Sequence, residues 1–126
     1  MKRLFNVLLI AVFAMVAYSC KPSIVGEWTY VKTQYYEDGE FDGEDYDDDY
    51  EVLQFNEDGT GVENDGYTSE IIYWKYEGGY LYMDYDPIKK LDMGDALKVE
   101  ELGKDNLKLA DEYTHGVEVH VFKRTR

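Results

Sequence analysis

The sequence of 126 residues predicts an all-β protein, a small eight-stranded antiparallel up-and-down barrel. Short aromatic or β-branched runs recur from residue 25 to residue 124, and Gly, Asn and Asp separate them. The same stretch shows no long apolar pattern of helical period. An open eight-stranded meander would leave two exposed edges, and closure removes both. A sandwich is the alternative, but the scarcity of long crossover links disfavours a Greek key.

The strands are predicted from the runs between turn residues. Connectors such as Asn56-Glu57-Asp58-Gly59 and Glu77-Gly78-Gly79 suit the positive φ of tight hairpins, so neighbouring strands are expected to be antiparallel. Only the acidic segment 37–50 and the segment 86–95 are longer. The predicted strands cover residues 25–36, 51–55, 61–64, 69–76, 80–85, 96–102, 107–112 and 117–124.

Side-chain alternation along these strands predicts which face is buried. Ile72, Trp74 and Tyr76 share one side of the fourth strand, opposite Ile71, Tyr73 and Lys75. The remaining alternating residues expected in the core are Leu81, Met83, Tyr85, Leu107, Leu109, Val117, Val119 and Val121.

Residues 1–19 have the pattern of a secretory signal peptide. Lys2 and Arg3 give a basic start, and an apolar stretch follows from residue 4 to residue 17. This stretch is shorter than the roughly 20 residues of a membrane-spanning helix. We therefore expect the segment to be removed and to take no part in the fold.

Cys20 is the only cysteine and follows the apolar stretch directly. Ala17-Tyr18-Ser19-Cys20 resembles the lipobox of bacterial lipoproteins, which implies an acylated Cys20 anchored in a lipid bilayer, with residues 20–23 as a short tether. An ordinary signal cut or an uncleaved anchor would instead leave a free thiol, because one cysteine cannot form an internal disulfide. Lys21 follows Cys20, at the position where an aspartate would resemble an inner-membrane retention signal. We therefore expect an outer-membrane protein that faces the periplasm, with surface exposure as the alternative.

The domain at residues 24–126 also carries a family resemblance. Gly26-Glu27-Trp28 resembles the Gly-x-Trp opening of lipocalins, and the segment 53–61 (LQFNEDGTG) resembles a hairpin of bacterial lipocalin-like lipoproteins. Trp74, Leu81 and the segment 121–124 follow in that family's order. The resemblance implies a small eight-stranded barrel without an assigned ligand or activity. It also implies a structural pair that closes the barrel, in which Arg124 lies against Trp28.

The interior of such a barrel has room for side chains or for one small ligand. Because several large apolar side chains compete for this space, a packed core is favoured over a pocket. The candidate residues for the core or a ligand cavity are Trp28, Phe55, Ile72, Trp74, Tyr76, Leu81, Met83 and Phe122.

The acidic segment has ten carboxylates in residues 37–51. Asp45, Asp47 and Asp49 have the spacing of the first ligands of a calcium loop. However, Tyr50 and Asn56 occupy the positions of the required glycine and glutamate, so the segment is not an EF-hand. A looser Ca²⁺ site is one interpretation, and a solvated acidic loop is the favoured one. No other cofactor is expected.

The charge and the polar residues exclude two classes of function. The formal net charge is -14 and becomes -16 once Lys2 and Arg3 are removed, so a nucleic-acid partner is not expected. His115 and His120 have no metal-binding motif, and Ser23 and Ser69 have no nucleophile elbow, so the protein is predicted not to be an enzyme.

The predicted function is therefore that of a membrane-anchored lipocalin-like lipoprotein, which binds a small apolar ligand or serves as a binding module of the cell envelope. The alternative is a module with a packed barrel that contacts a protein or a glycan. In that case its acidic, tyrosine-rich surface would form the contact, with or without Ca²⁺.

The lipidation hypothesis predicts a processing defect. Replacement of Cys20 with Ala, or treatment of cells with globomycin, should leave a precursor that retains residues 1–19, because cleavage depends on the acylated cysteine. Intact-mass measurement of the membrane fraction distinguishes the two forms, and Ser19→Ala is the matched control that should mature normally. Normal maturation of the Cys20→Ala chain would contradict the hypothesis.

Overall fold

The computed structural model describes residues 23–46 and 51–126, which form nine β-strands and one short 3-10 helix at Met93–Asp95. Residues 1–19, Cys20, Asp47 and Asp49 lie outside the described residues. No helix within the described ranges has the length and apolar composition to cross a membrane. The strands are β1 Gly26–Glu37, β2 Glu40–Asp45, β3 Val52–Phe55, β4 Thr60–Asn64, β5 Ser69–Glu77, β6 Tyr80–Asp84, β7 Ala96–Leu102, β8 Asn106–Tyr113 and β9 Gly116–Arg124.

Eight of the strands form a closed antiparallel barrel. From β3 to β9 each strand pairs with the next, and β1 joins the two ends because it pairs with β9 and with β3. The predicted up-and-down barrel is therefore confirmed. The ninth strand, β2, is an addition to the barrel wall.

Strand β1 makes the closure possible because it is long. One edge pairs with β9 from Trp28 to Glu37, with a register shift between Tyr30 and Lys32. The other edge pairs first with β3, up to Thr29, and then with β2, from Thr33 onward. β1 thus belongs to the closed barrel near its start and to an added hairpin near its end.

The prediction that residues 37–50 form a loop is wrong for residues 40–45, which form β2. Asp38 has a φ of 51° and Gly39 a φ of 81°, so these two residues form the left-handed turn of a tight hairpin. Asp-Gly is a preferred sequence for such a turn. The density of carboxylates obscured this signal.

The barrel has two different ends. The entry end, where the described chain begins at Ser23, carries the β3–β4, β5–β6 and β7–β8 turns. The far end carries the β1–β2, β4–β5 and β8–β9 turns and the link that joins β6 to β7. The direction of every strand follows from this arrangement.

Trp28 and Arg124 close the entry end. The two residues are cross-strand partners, and the Arg124 guanidinium carbon lies 4.2 Å from the centre of the Trp28 ring. Trp28 is fully buried, and its Nε1 donates to the carbonyl of Ile24 at 2.8 Å. The Arg124 guanidinium donates to the carbonyls of Lys104 at 2.7 Å and Val25 at 2.8 Å, and also to that of Ser23.

The glycine of the Gly-x-Trp motif has a physical role in this closure. Gly26 has a φ of 138°, and a Cβ atom at this position would overlap Arg124 Nη1 and the Arg126 carbonyl. A side chain would therefore displace the guanidinium from Trp28.

The prediction that Val117, Val119 and Val121 face the core is wrong. Leu107 pairs with Phe122, and Leu109 pairs with His120, so these residues define the inner face of β8 and β9. The three valines point outward, although Val119 and Val121 are buried on that side. The valines do share one face of β9, as alternation predicts. Because both faces of β9 carry apolar residues, the sequence does not show which of the two faces points inward.

The closure at the entry end predicts a stability difference. Arg124→Met should lower the free energy of unfolding by about 2 kcal/mol, because it removes the cation over Trp28 and three charged hydrogen bonds to carbonyls. Arg124→Lys should lose less, since it keeps the charge. The control is Lys123→Met at the exposed neighbouring position. Urea unfolding of the purified protein measures all three, and equal stability of Arg124→Met and Lys123→Met would contradict this role.

Candidate functional site

The barrel interior is filled by side chains. The core cluster contains the predicted residues Trp28, Phe55, Ile72, Leu81 and Phe122, each no more than 3% exposed. Trp74 and Met83 are partly buried and pack against this cluster. The Phe55 and Trp74 rings meet edge to face, with centroids 5.4 Å apart. These side chains occupy the space that an apolar ligand would need.

The prediction that Tyr76 lies in the core or a cavity is wrong, because this residue is 42% exposed. It precedes the last residue of β5 at the entry end and pairs with the buried Leu81. Tyr85, at the other end of the barrel, is likewise 56% exposed. Alternation predicts on which face of a strand a side chain lies, but not how far the packed core extends along the barrel axis. Both tyrosines lie beyond the ends of this packed core.

Four surface depressions among the described residues have volumes between about 240 and 600 Å³. Of the eight predicted core or cavity residues, only Phe55, Ile72 and Met83 line any of them. The depression that includes Ile72 and Met83 has a volume of about 330 Å³ and is also lined by Glu63, Asp84 and Tyr85. Its lining thus combines apolar side chains with two carboxylates, and it lies toward the far end.

Four exposed aromatic residues are found at the far end, and we call them the far-end rim. Tyr67 lies in the β4–β5 turn and is 96% exposed. The other three residues lie where strands reach this end, and they are Phe41 in β2, Tyr85 after β6 and Tyr113 at the end of β8. Each of these three is more than half exposed. Aromatic side chains held out in solvent are typical of contact surfaces.

Three glutamates form a row beside the rim, and we call Glu51, Glu63 and Glu70 the glutamate row. Glu63 pairs with the buried Leu53 on one side and with Glu70 on the other, so the row shares the inner face. Glu51 lies two residues before Leu53 and has the same phase. The Tyr85 hydroxyl donates to Glu63 Oε1 at 2.8 Å.

The electrostatics of this row are unfavourable to further negative charge. The hydrogen bond to Glu63 and the nearby carboxylates raise the pKa of Tyr85 to about 12. Burial, together with the charge of Glu63, raises the pKa of Glu51 above its ordinary value. The far end therefore favours a cationic partner over an anionic one.

A polar chain of contacts crosses from β1 to β9 inside the far half of the barrel. The Tyr30 and Thr33 hydroxyls are 2.6 Å apart, and Thr33 Oγ1 lies 3.1 Å from His120 Nδ1. Glu118 Oε2 lies 4.0 Å from His120 Nε2. These contacts satisfy the buried Thr33 hydroxyl, and they explain how a histidine is accommodated on the inner face.

The predicted calcium ligands are only partly described. Asp45 is exposed at the end of β2, opposite Thr33, whereas Asp47 and Asp49 lie outside the described residues. No group of three or more His, Cys, Asp or Glu side chains within the described ranges has the arrangement of a metal site. A calcium site in the acidic segment therefore stays a prediction.

Comparison of the chain with protein-family models, curated proteins and solved structures finds no match. The lipocalin-like family therefore stays a prediction from the short motifs around Trp28 and Gly59.

The glutamate row and the rim were not predicted as a site from the sequence. The phase of Glu63 could have been found, because it lies two residues after Gly61, which pairs with the buried Ile72. The placement of Tyr67 and Tyr113 at one end follows only from strand direction, which requires the complete order of strands.

The glutamate row predicts a pH-dependent gain in stability. A raised pKa in the folded state means that ionised Glu51 destabilises the fold above that pKa, and the penalty disappears below the ordinary value of 4.5. Glu51→Gln should therefore raise the free energy of unfolding at pH 7 by about 0.5 kcal/mol, a typical effect for neighbouring like charges. The gain should vanish near pH 3.5.

Urea unfolding at both pH values measures this gain, and Glu57→Gln in an exposed turn is the matched control. A loss of stability for Glu51→Gln at pH 7 would show that ionised Glu51 is stabilised in place.

Proposed function

We propose that the protein is a lipid-anchored binding module of the bacterial cell envelope, and that it contacts a protein or glycan partner through the far end of its barrel. The observation that carries this proposal is the contrast between a filled interior and an exposed end rich in aromatic side chains and carboxylates. No catalytic step is part of the proposal.

The position of Ser23 supports an orientation in which the far end of the barrel points away from the membrane. Ser23 lies at the entry end, three residues after Cys20, and three residues span at most about 10 Å. An acyl anchor at Cys20 would thus keep the entry end close to the bilayer and direct the far end away from it. We propose the outer membrane, facing the periplasm, as the location.

A small apolar ligand inside the barrel has less support than a surface partner. Apart from Tyr76, the residues expected to line such a cavity belong to the core cluster or pack against it, and Trp28 and Leu81 are fully buried. The 330 Å³ depression near the glutamate row is close to the lower limit for ligand pockets, and carboxylates line it in part.

The composition of the far end supports a partner with cationic or hydrogen-bonding groups. Tyrosine offers an apolar ring and a hydroxyl, which suit both protein and sugar surfaces. Carboxylates beside the rings favour lysine, arginine or sugar hydroxyls. The strongly acidic mature chain also disfavours contact with anionic partners.

Site-specific photo-cross-linking in intact cells tests the proposal. A benzophenone side chain at position 67 or position 113 should give a discrete cross-linked product, because both positions lie on the far-end rim. The matched control is position 76, where an exposed tyrosine lies at the entry end. Protease treatment of the product distinguishes a protein partner from a glycan.

Equal products from all three positions, or products from position 76 alone, would contradict a binding site at the far end. The absence of a product from positions 67 and 113 in cells that process the chain normally would contradict it as well.

A further inference from the structure

Strand β2 has one edge that no other described strand pairs with. Within residues 23–46 and 51–126, β1 is the only strand that pairs with it. Five of its six residues are exposed, and Gly43 is the exception. In an antiparallel pair, alternate residues of an edge strand direct their N–H and C=O groups away from the neighbour. The register against β1 shifts between Tyr35 and Tyr36 and leaves Asp42 as an extra residue, so β2 presents backbone hydrogen-bonding groups to solvent in two short runs on either side of this bulge.

Contacts to β1 hold this edge in place. Lys32 Nζ and Gln34 Nε2 each lie 3.0 Å from Glu44 Oε1, and the Tyr46 hydroxyl donates to Glu44 Oε2 at 2.9 Å. These contacts, led by the one from Gln34, lower the pKa of Glu44 to about 2. Tyr36 and Phe41 meet edge to face, with ring centroids 5.6 Å apart. Since the strand is already ordered, a partner need not order it on binding.

The charges on β2 restrict which chain could pair with it. Glu40, Asp42 and Asp45 are exposed, whereas the charge of Glu44 is compensated by Lys32. A second copy of this chain, added edge to edge, would place carboxylates opposite carboxylates, which is destabilising. A segment with Lys or Arg at the positions that face Glu40, Asp42 and Asp45 would place opposite charges across the ladder instead.

We propose that the free edge of β2 binds a basic, extended segment of a protein partner, which adds to the sheet as a further antiparallel or parallel strand. Backbone hydrogen bonds would supply the affinity, and the carboxylates would select the sequence. The exposed face of Phe41 would contact an apolar side chain of that segment. This inference rests on the proposed function, because it specifies the class of partner for the far end.

Peptide binding to the mature, acylated protein in nonionic detergent tests the inference. The probes are a fluorescent peptide of alternating Lys and Val, its Glu and Val counterpart, and a Lys and Val peptide with alternate backbone amides N-methylated. We expect binding of the first peptide only. N-methylation keeps the charge but removes the backbone donors, so it separates strand addition from simple charge attraction.

A charge-reduced variant of β2 locates the binding site. Glu40→Gln, Asp42→Asn and Asp45→Asn combined should weaken binding of the basic peptide about tenfold, while Glu44 is retained because it holds β2 against β1. The matched control carries Glu57→Gln, Glu77→Gln and Asp105→Asn, three exposed positions at the entry end. The control should bind as the unaltered protein does. Hydrogen exchange should show new protection of amides in residues 40–45.

Three results would overturn the inference. The first is that the N-methylated basic peptide binds as tightly as the basic peptide without N-methylation. The second is that the control charge variant weakens peptide binding as much as the charge-reduced variant of β2 does. The third is concentration-dependent dimerisation of the protein that protects β2 from hydrogen exchange without any peptide. If one of them is found while positions 67 and 113 still cross-link in cells, strand addition fails and the proposed function stands. If those cross-links are absent as well, the proposed function fails too.

Discussion

The pairing of β1 along both of its edges is the constraint on which the rest of the structure depends. β9 occupies one edge from Trp28 to Glu37, and β3 followed by β2 occupies the other. A shorter β1 could close the barrel or carry the hairpin, but not both. Because β1 closes the sheet at its start, Trp28 meets Arg124 at the entry end. Because it continues past the closed part, it presents β2 near the far end.

This arrangement separates, along the barrel axis, the groups that close the core from the groups of the proposed binding surface. At the entry end, a buried tryptophan, a stacked guanidinium and hydrogen bonds to backbone carbonyls close the core. At the far end, the inner face changes from leucine and isoleucine to the glutamate row, and exposed rings replace buried ones. Charged groups near solvent cost little stability there, and they remain available for a partner. An anchor near Ser23 would leave that end accessible.

Much of the barrel could be predicted from the sequence, because turn residues and alternation are local signals. Trp28, Phe55, Ile72 and Leu81 lie in the core as their phase indicates. The inner face of β9 was assigned wrongly because valines and Phe122 make both of its faces apolar. β2 was missed because ten carboxylates concealed the Asp38-Gly39 turn. The far-end rim depends on residues from separate strands, so its geometry follows from topology rather than from any motif.

The central claim is that the interior is filled and that binding takes place on the surface of the far end. Native mass spectrometry of the mature protein, released from membranes into nonionic detergent, tests it most directly. The predicted result is the mass of the chain from Cys20 with its acyl groups and no apolar small molecule. A stoichiometric apolar ligand that survives gentle activation and is lost on unfolding would contradict the claim, because the packed core around Trp28 and Leu81 leaves no place for it inside the barrel.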